Sequence, residues 1–492
     1  MKIKRILAAA LCAIIVFSAG ACNGKDPVIP PPPDYSDSTK QMDFYCYTGP
    51  TDGTWTQDGE IKYSGEDFRT VERYKEYKEA GMTILLPQSS ALFTGHSAWE
   101  TSETKMVFDR AYEAGIDKII LTDGRLVSLC NNPGGIIGEG KPYADEAALD
   151  AELAAWIAPY KDHPAFYGVL LKDEPIHTYF PTIGQIYRSL KRIMPEIFVQ
   201  CNLFPIREKD AMDLMMPTGD NISEQYRNYL LGFLEATGAD YIMYDHYPFS
   251  ANSGISPLYL QGLQVAAEVC RDKNVAFYNV TQTMAMSNAG TEVYRKITED
   301  DAYYLTNLLL GFGVKQIAYF TYWTKQANSS SGETFVDGAS FMTRIGEKTD
   351  IYYFMQKIHQ QIQKFAPVIM NFTYNNSTSK LVTPSRYPNA HMMGMKDGEL
   401  EKVTDIKIDK EMITVSELKD EAKGNYMYMV HNSINPVYKG SPAYITATLT
   451  FTSEYKYAVI YDKGESTTLA LDADNSVTVK MHPGHAKFIM PY

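Results

Sequence analysis

Between Met42 and Pro367 short apolar runs alternate with longer amphipathic stretches, and no other feature of the sequence constrains the fold as strongly. The runs lie at 42–48, 82–88, 116–123, 166–173, 197–203, 241–247, 274–282 and 316–323. Helical patterns fall between and after them, at 67–80, 103–114, 145–160, 182–194, 221–237, 256–272, 298–311 and 349–365. Ile186, Leu190 and Ile193 show the spacing that puts apolar side chains on one helix face. Gly81, Gly115, Gly238 and Gly313 stand where a left-handed residue would end a helix. Strand–helix alternation implies parallel strands, and eight such units can close a barrel. A doubly wound open sheet is the rival. It would carry a glycine-rich phosphate loop after its first strand. Here that strand is followed by TGPTDGTW, with no GxGxxG. The expected architecture is therefore an α/β chain with a (β/α)8 barrel over 41–366. Residues 367–492 change to short apolar–polar alternation, as in Tyr426–Val430 and Tyr457–Tyr461, which predicts a small all-β, sandwich-like domain.

The N-terminus reads as an address. Basic residues in Met1–Arg5 precede an apolar run from Ile6 to Phe17, and small residues follow up to Cys22. This order predicts a signal peptide over 1–21 and lipidation of Cys22, hence an exported protein anchored to a bacterial cell envelope. Residues 22–40, with Pro30 to Pro33 in a row, predict a stiff linker. Of the later cysteines (46, 130, 201 and 270), none has metal-ligand spacing, and Cys46 and Cys201 fall inside apolar runs as expected buried thiols. With 46 basic against 59 acidic residues the net charge is −13, which argues against nucleic acid as the main partner. No motif calls for a metal or cofactor.

In a barrel of this kind chemistry sits at the C-terminal strand ends. Those ends carry Gln88, Asp123, Arg125, Asp173, Glu174, Asn202, Asp245, His246, Tyr247, Gln282, Tyr322 and Trp323. The sharpest stretch is Asp162 to Pro175, DHPAFYGVLLKDEP, a strand running into two adjacent acids before a proline. Alternation along a strand would aim only one of the two at the mouth. A carboxyl group held among apolar neighbours keeps its proton near neutral pH and can protonate a leaving glycosidic oxygen.

With these residues the chain resembles the TIM-barrel glycoside hydrolases, in particular the large clan of retaining β-glycosidases. It also resembles the lipoproteins of gut bacteria of the Bacteroides type that carry such barrels. In the clan, strand four ends in Asn-Glu, and the Glu is the acid/base. Asp173-Glu174-Pro175 takes that place here. Asp245-His246-Tyr247-Pro248 is similar to the clan's strand-six end, and Tyr319–Trp323 to its strand-eight end, where an aromatic floors the sugar site. The resemblance implies glycoside hydrolysis of an oligo- or polysaccharide, with Glu174 as general acid/base.

The clan's nucleophile, a Glu ending strand seven, is missing; Gln282 stands near that place. Three outcomes stay open. A second carboxylate comes from elsewhere, Asp245 first and Glu333 second. Or the reaction inverts, with a base further from the acid. Or catalysis is lost and glycan binding kept. The remaining candidates for substrate contact are Asp173, Asp123, Asn202, Tyr247, Gln282, Tyr322 and Trp323. Each has a plainer role to weigh: Glu174 paired with Arg125, Asp245 as a buried hydrogen-bond partner, Tyr322 and Trp323 as packing. The loop 324–349 is long for a compact domain and is expected to form a lid or a wall of the site.

Overall fold

The computed structural model describes residues 29–492 except 88–91, 252–253, 328–331, 383–389, 393 and 439–440. The signal run, Cys22, the first part of the linker, Gln88 and the Ser-Ser-Ser run of the long loop lie outside the described residues.

Two parallel sheets form the body. One orders its strands as Asp43–Tyr47, Gln316–Phe320, Ala276–Gln282 and Tyr241–His246. The other orders Ile119–Thr122, Phe166–Asp173 and Phe198–Asn202. Hydrogen bonds join the sheets on both sides. Leu203 N–H donates to Met243 O at 2.9 Å. On the other side Thr83 N–H donates to Phe44 O at 2.8 Å, and Leu85 N–H to Lys118 O at 2.9 Å. The second strand is thus much shorter than the expected 82–88: among the described residues it is a single bridge, Leu85 to Ile119.

The helices follow the expected pattern within a few residues. Phe180–Ile193 illustrates the cause. A proline sits in its first turn, where a missing N–H costs nothing, and Lys191 and Arg192 face the negative helix end. Its Ile183, Ile186, Tyr187 and Leu190 are buried. Each large apolar side chain so buried stabilises the fold by roughly 1.5–3 kcal/mol. Gly81 and Gly238 take φ of +96° and +70° at the turns that end their helices. Cys46, Cys130, Cys201 and Cys270 are free and buried.

The last helix of the body, Asp350–Ile369, runs through Pro367, so the change of architecture comes between Ile369 and Thr373 rather than at 366. Beyond it all pairing is antiparallel, in a six-stranded and a three-stranded sheet. Alternate burial in Ile445–Phe451 matches a strand with one covered face. This β-region packs on the body: Phe365 stacks on Tyr461 at 4.7 Å, and Ser416 Oγ donates to Gly311 O at 2.7 Å. The described part of the proline-rich segment is docked rather than free-standing. Tyr35 is buried, with its hydroxyl 2.8 Å from Asp420, and Tyr492 donates to Pro30 O.

A five-stranded antiparallel sheet covers the ends of strands six to eight, built from Phe249–Ser250, Gly254–Ile255, Met286–Asn288, Thr291–Tyr294 and Glu333–Phe335. The long loop contributes Glu333–Phe335 to it, and so forms part of a wall.

Candidate active site

Strand four delivers the acids. Its partner register slips between Leu170 and Lys172, which brings Asp173 opposite Asn202. Glu174 then leaves the extended conformation, with φ of +46°, and its N–H donates to Asn202 O at 2.8 Å. A positive φ is uncommon for a residue with a Cβ and persists where the surroundings hold it. It also breaks the strand's alternation. Asp173 and Glu174 therefore both join one cluster, against the expectation that only one would face the mouth.

Asp245, from the end of strand six, completes the cluster. Its charge and that of Asp173 both act on Glu174. Asn202 Nδ2 donates to Asp173 Oδ1 at 2.9 Å. Arg207 lies 3.7 Å from Glu174 and is the cation beside it. Arg125, the partner weighed from the sequence, instead binds Asp123.

The three acids differ in environment. Burial, then the charges of Asp245 and Asp173, push the Glu174 carboxyl up to about 8, and Arg207 opposes this. Burial and the charge of Asp173 raise Asp245 to about 6, while hydrogen bonds from Tyr247 and Asn202 favour its ionised form. Asp173 is exposed, yet protein crowds its recess on most sides and desolvation raises it too. Near neutral pH the cluster keeps a proton at Glu174 and a negative charge at Asp245. The Glu174 side chain is 32% exposed, so that proton is accessible.

Aromatic rings line the same region. Tyr247 stacks on Phe320 at 5.5 Å and meets Tyr294 edge-on at 5.7 Å. Tyr47 sits edge-on to Phe320 at 5.9 Å and accepts a hydrogen bond from Gln200. Phe320 also carries the Lys325 ammonium, 4.9 Å from its ring centre.

Six sequence candidates lie elsewhere. Asp123 is fully buried; it caps a short helix at Arg125 N–H, pairs with the Arg125 guanidinium at 2.6 Å and accepts from Tyr160 OH at 3.0 Å. It is a structural acid. Gln282 is fully buried and satisfied: its Oε1 accepts from Phe249 N–H, and its Nε2 donates to the carbonyls of Phe249, Met284 and Arg295. It staples the wall to strand seven. Trp323 is 1% exposed, packed on Phe68 and donating its indole N–H to Arg344 O. Tyr322 is equally buried, edge-on to Tyr77. Neither ring has a face for a sugar, because strand eight ends at Phe320 and the chain then turns inward. His246 is buried beside Ser256 and held neutral by desolvation. Glu333 sits in the wall strand, opposite Asn288.

Sequence reasoning missed Tyr47, Phe320, Arg207 and Lys325. Tyr47 and Phe320 are the true last residues of strands one and eight; runs read one to three residues too long moved attention past them. Arg207 and Lys325 lie in loops, where no periodic signal exists.

No family model matches the chain, and no curated protein does. Among solved structures, similar chains are glycoside hydrolases. A glycoside hydrolase family 5 protein from Bacteroides vulgatus ATCC 8482 has TM-score 0.49 and 11% identity over 91% of this chain and 94% of that one. The GH39 enzyme from Xanthomonas axonopodis pv. citri has TM-score 0.39 and 11% identity over 92% and 95%. A monomeric β-xylosidase from Caulobacter crescentus CB15 has TM-score 0.41 and 10% identity over 92% and 97%. Likeness at this level decides no question of activity or substrate.

Proposed function

We propose that the protein is a glycoside hydrolase acting on an oligo- or polysaccharide, with Glu174 as general acid/base and Asp245 as its partner carboxylate, on a closed (β/α)8 barrel. The observation that supports this is the split within the acid cluster: an accessible carboxyl group that keeps its proton, under the influence of one that is ionised near neutral pH. The links at Leu203, Thr83 and Leu85 support closure of the barrel.

Retaining pairs stand about 5–5.5 Å apart and inverting pairs about 6.5–9.5 Å, and the effect of the Asp245 charge on Glu174 favours the shorter spacing. The shorter spacing leads to retention with Asp245 as nucleophile. In that scheme Glu174 gives its proton to the leaving oxygen as the Asp245 carboxylate attacks the anomeric carbon. Glu174 then takes a proton from the water that releases the sugar. Asp173 and Asn202 orient the pair, and Tyr247 favours the ionised form of Asp245.

A second function has its own support. With Gln282 locked into the wall, strand seven offers no carboxylate, and a barrel that binds glycans without cleaving them fits that arrangement. Incubation with a glycan panel, reading both bound and released sugars, tests the two. Released product that disappears in Glu174→Gln upholds the hydrolase; binding without product upholds the alternative.

The order of basic, apolar and small residues before Cys22 supports export and an acyl anchor at the bacterial cell envelope. Palmitate labelling that is lost in Cys22→Ala is the expected result. The net charge of −13 argues against nucleic acid as a partner.

A further inference from the structure

Beside the acid cluster lies a second recess, formed by the loop and hairpin after strand one and the chain leaving strand eight. It has a volume of about 180 Å³ and is lined by Thr48, Trp55, Ile61, Lys325 and Gln326, with further threonines between them. Among the described residues no acid lines it. Asp52, in the same loop, is turned to Thr54, accepting from both its N–H and its hydroxyl. The Thr324 hydroxyl is likewise used, donating to Met342 O at 2.7 Å. Lys325 is the charged group of the lining, and it has two aspects. Its ammonium lies over Phe320 and Phe335 at 4.9 and 5.4 Å from the ring centres. Burial lowers its pKa, and the charges of Glu333 and of Asp173 in the acid cluster act on it in the opposite sense. One lysine thus joins the recess to the place where Glu174 stands.

The geometry points to a subsite for one acidic sugar unit, a uronic acid, whose carboxylate pairs with Lys325. The inference rests on the glycan-directed function above and narrows it to anionic glycans. Three features carry it. The recess is of single-ring size. It offers an indole and an isoleucine as apolar wall, with amide and hydroxyl groups beside them, the mixture that sugar sites use. And its one charge is positive, in a protein of net charge −13, next to three carboxyl groups that would repel an acid placed further along. An ammonium resting on aromatic rings is partly stripped of water, so an entering carboxylate displaces little solvent and gains a charge-assisted hydrogen bond.

The test is calorimetric titration of the whole protein with methyl β-glucuronide and with methyl β-glucoside at low salt. The glucuronide is expected to bind roughly tenfold more tightly, the effect of one charge-assisted hydrogen bond. Lys325→Met keeps most of the stem and should abolish the preference, while Lys325→Arg should keep it; unfolding curves check that both variants fold. Equal affinities, binding of neither sugar, or a preference that survives Lys325→Met overturns the subsite. None of these results touches the cleavage test on Glu174→Gln. A protein that releases neutral sugars through Glu174 but shows no glucuronide preference loses only the subsite. One that prefers glucuronide but cleaves nothing loses only the hydrolase.

Discussion

The charge of Asp245 raises the carboxyl group of Glu174, although the two come from strands four and six and lie far apart in the chain. Two carboxyl groups that feel each other's charge cannot both ionise cheaply, and burial sharpens the conflict. The proton therefore stays with Glu174, whose side chain is partly exposed.

Replacing Glu174 with Gln removes that proton. Cleavage should fall by about 10²–10⁴-fold, the usual contribution of a positioned acid, while oligosaccharide affinity stays within a few fold. Released reducing sugar and a binding isotherm measure the two effects. Unchanged turnover would take Glu174 out of the mechanism.

The pH–rate profile should be bell-shaped. The rising limb follows ionisation of Asp245, near 6, and the falling limb loss of the Glu174 proton, near 8, both being apparent values of the pair. In the Asp245→Asn variant the negative neighbour is gone, and any residual activity should lose its rising limb. A flat profile between these limits contradicts the assignment.

Stability should shift with the same groups. Both acids have folded pKa values above their unfolded ones, so the folded state binds more protons and loses stability as pH rises. The loss runs from the ordinary carboxylate range up to about 8, where Glu174 ionises. Melting temperatures across this window should decline in the native protein and decline less in Glu174→Gln. A native melting temperature that rises through the window refutes the raised values.

Gln282→Glu puts the clan's nucleophile type at the end of strand seven, and it should not create an active enzyme. The new carboxylate would face the carbonyls of Phe249, Met284 and Arg295, to which Gln282 now donates. A buried charge set against three carbonyls, with only the Phe249 N–H to meet it, costs about 3–5 kcal/mol. Denaturant melts should show that loss, and a stable, more active variant would disprove the staple.

Phe320→Ala and Trp323→Ala separate sugar contact from packing. Trp323 is core, and its removal should cost about 3–5 kcal/mol of stability. Phe320 is half-buried beside Tyr247, and its loss should weaken glycan binding by about 0.5–1.5 kcal/mol with a smaller effect on stability. The reverse pattern would restore Trp323 as the sugar floor.

The chain's periodicity was enough to place its elements. The helix Phe180–Ile193 and the strand Phe166–Asp173 are legible because side chains spaced for one face, and caps such as Gly238, are local properties. So was the candidacy of Glu174, since two acids at the end of a strand need no distant partner to be noticed. Only tertiary structure decided which residues serve the site. Asp245 reaches Glu174 because parallel strands bring their ends to one face, and Asp173 joins them because positive φ at the next residue breaks the alternation. Gln282, Asp123 and Trp323 are spent on partners from remote segments, so their roles could not be read locally. Register and loop contacts set these outcomes. They depend on what the rest of the chain places opposite each side chain, and no window of neighbouring residues contains that information.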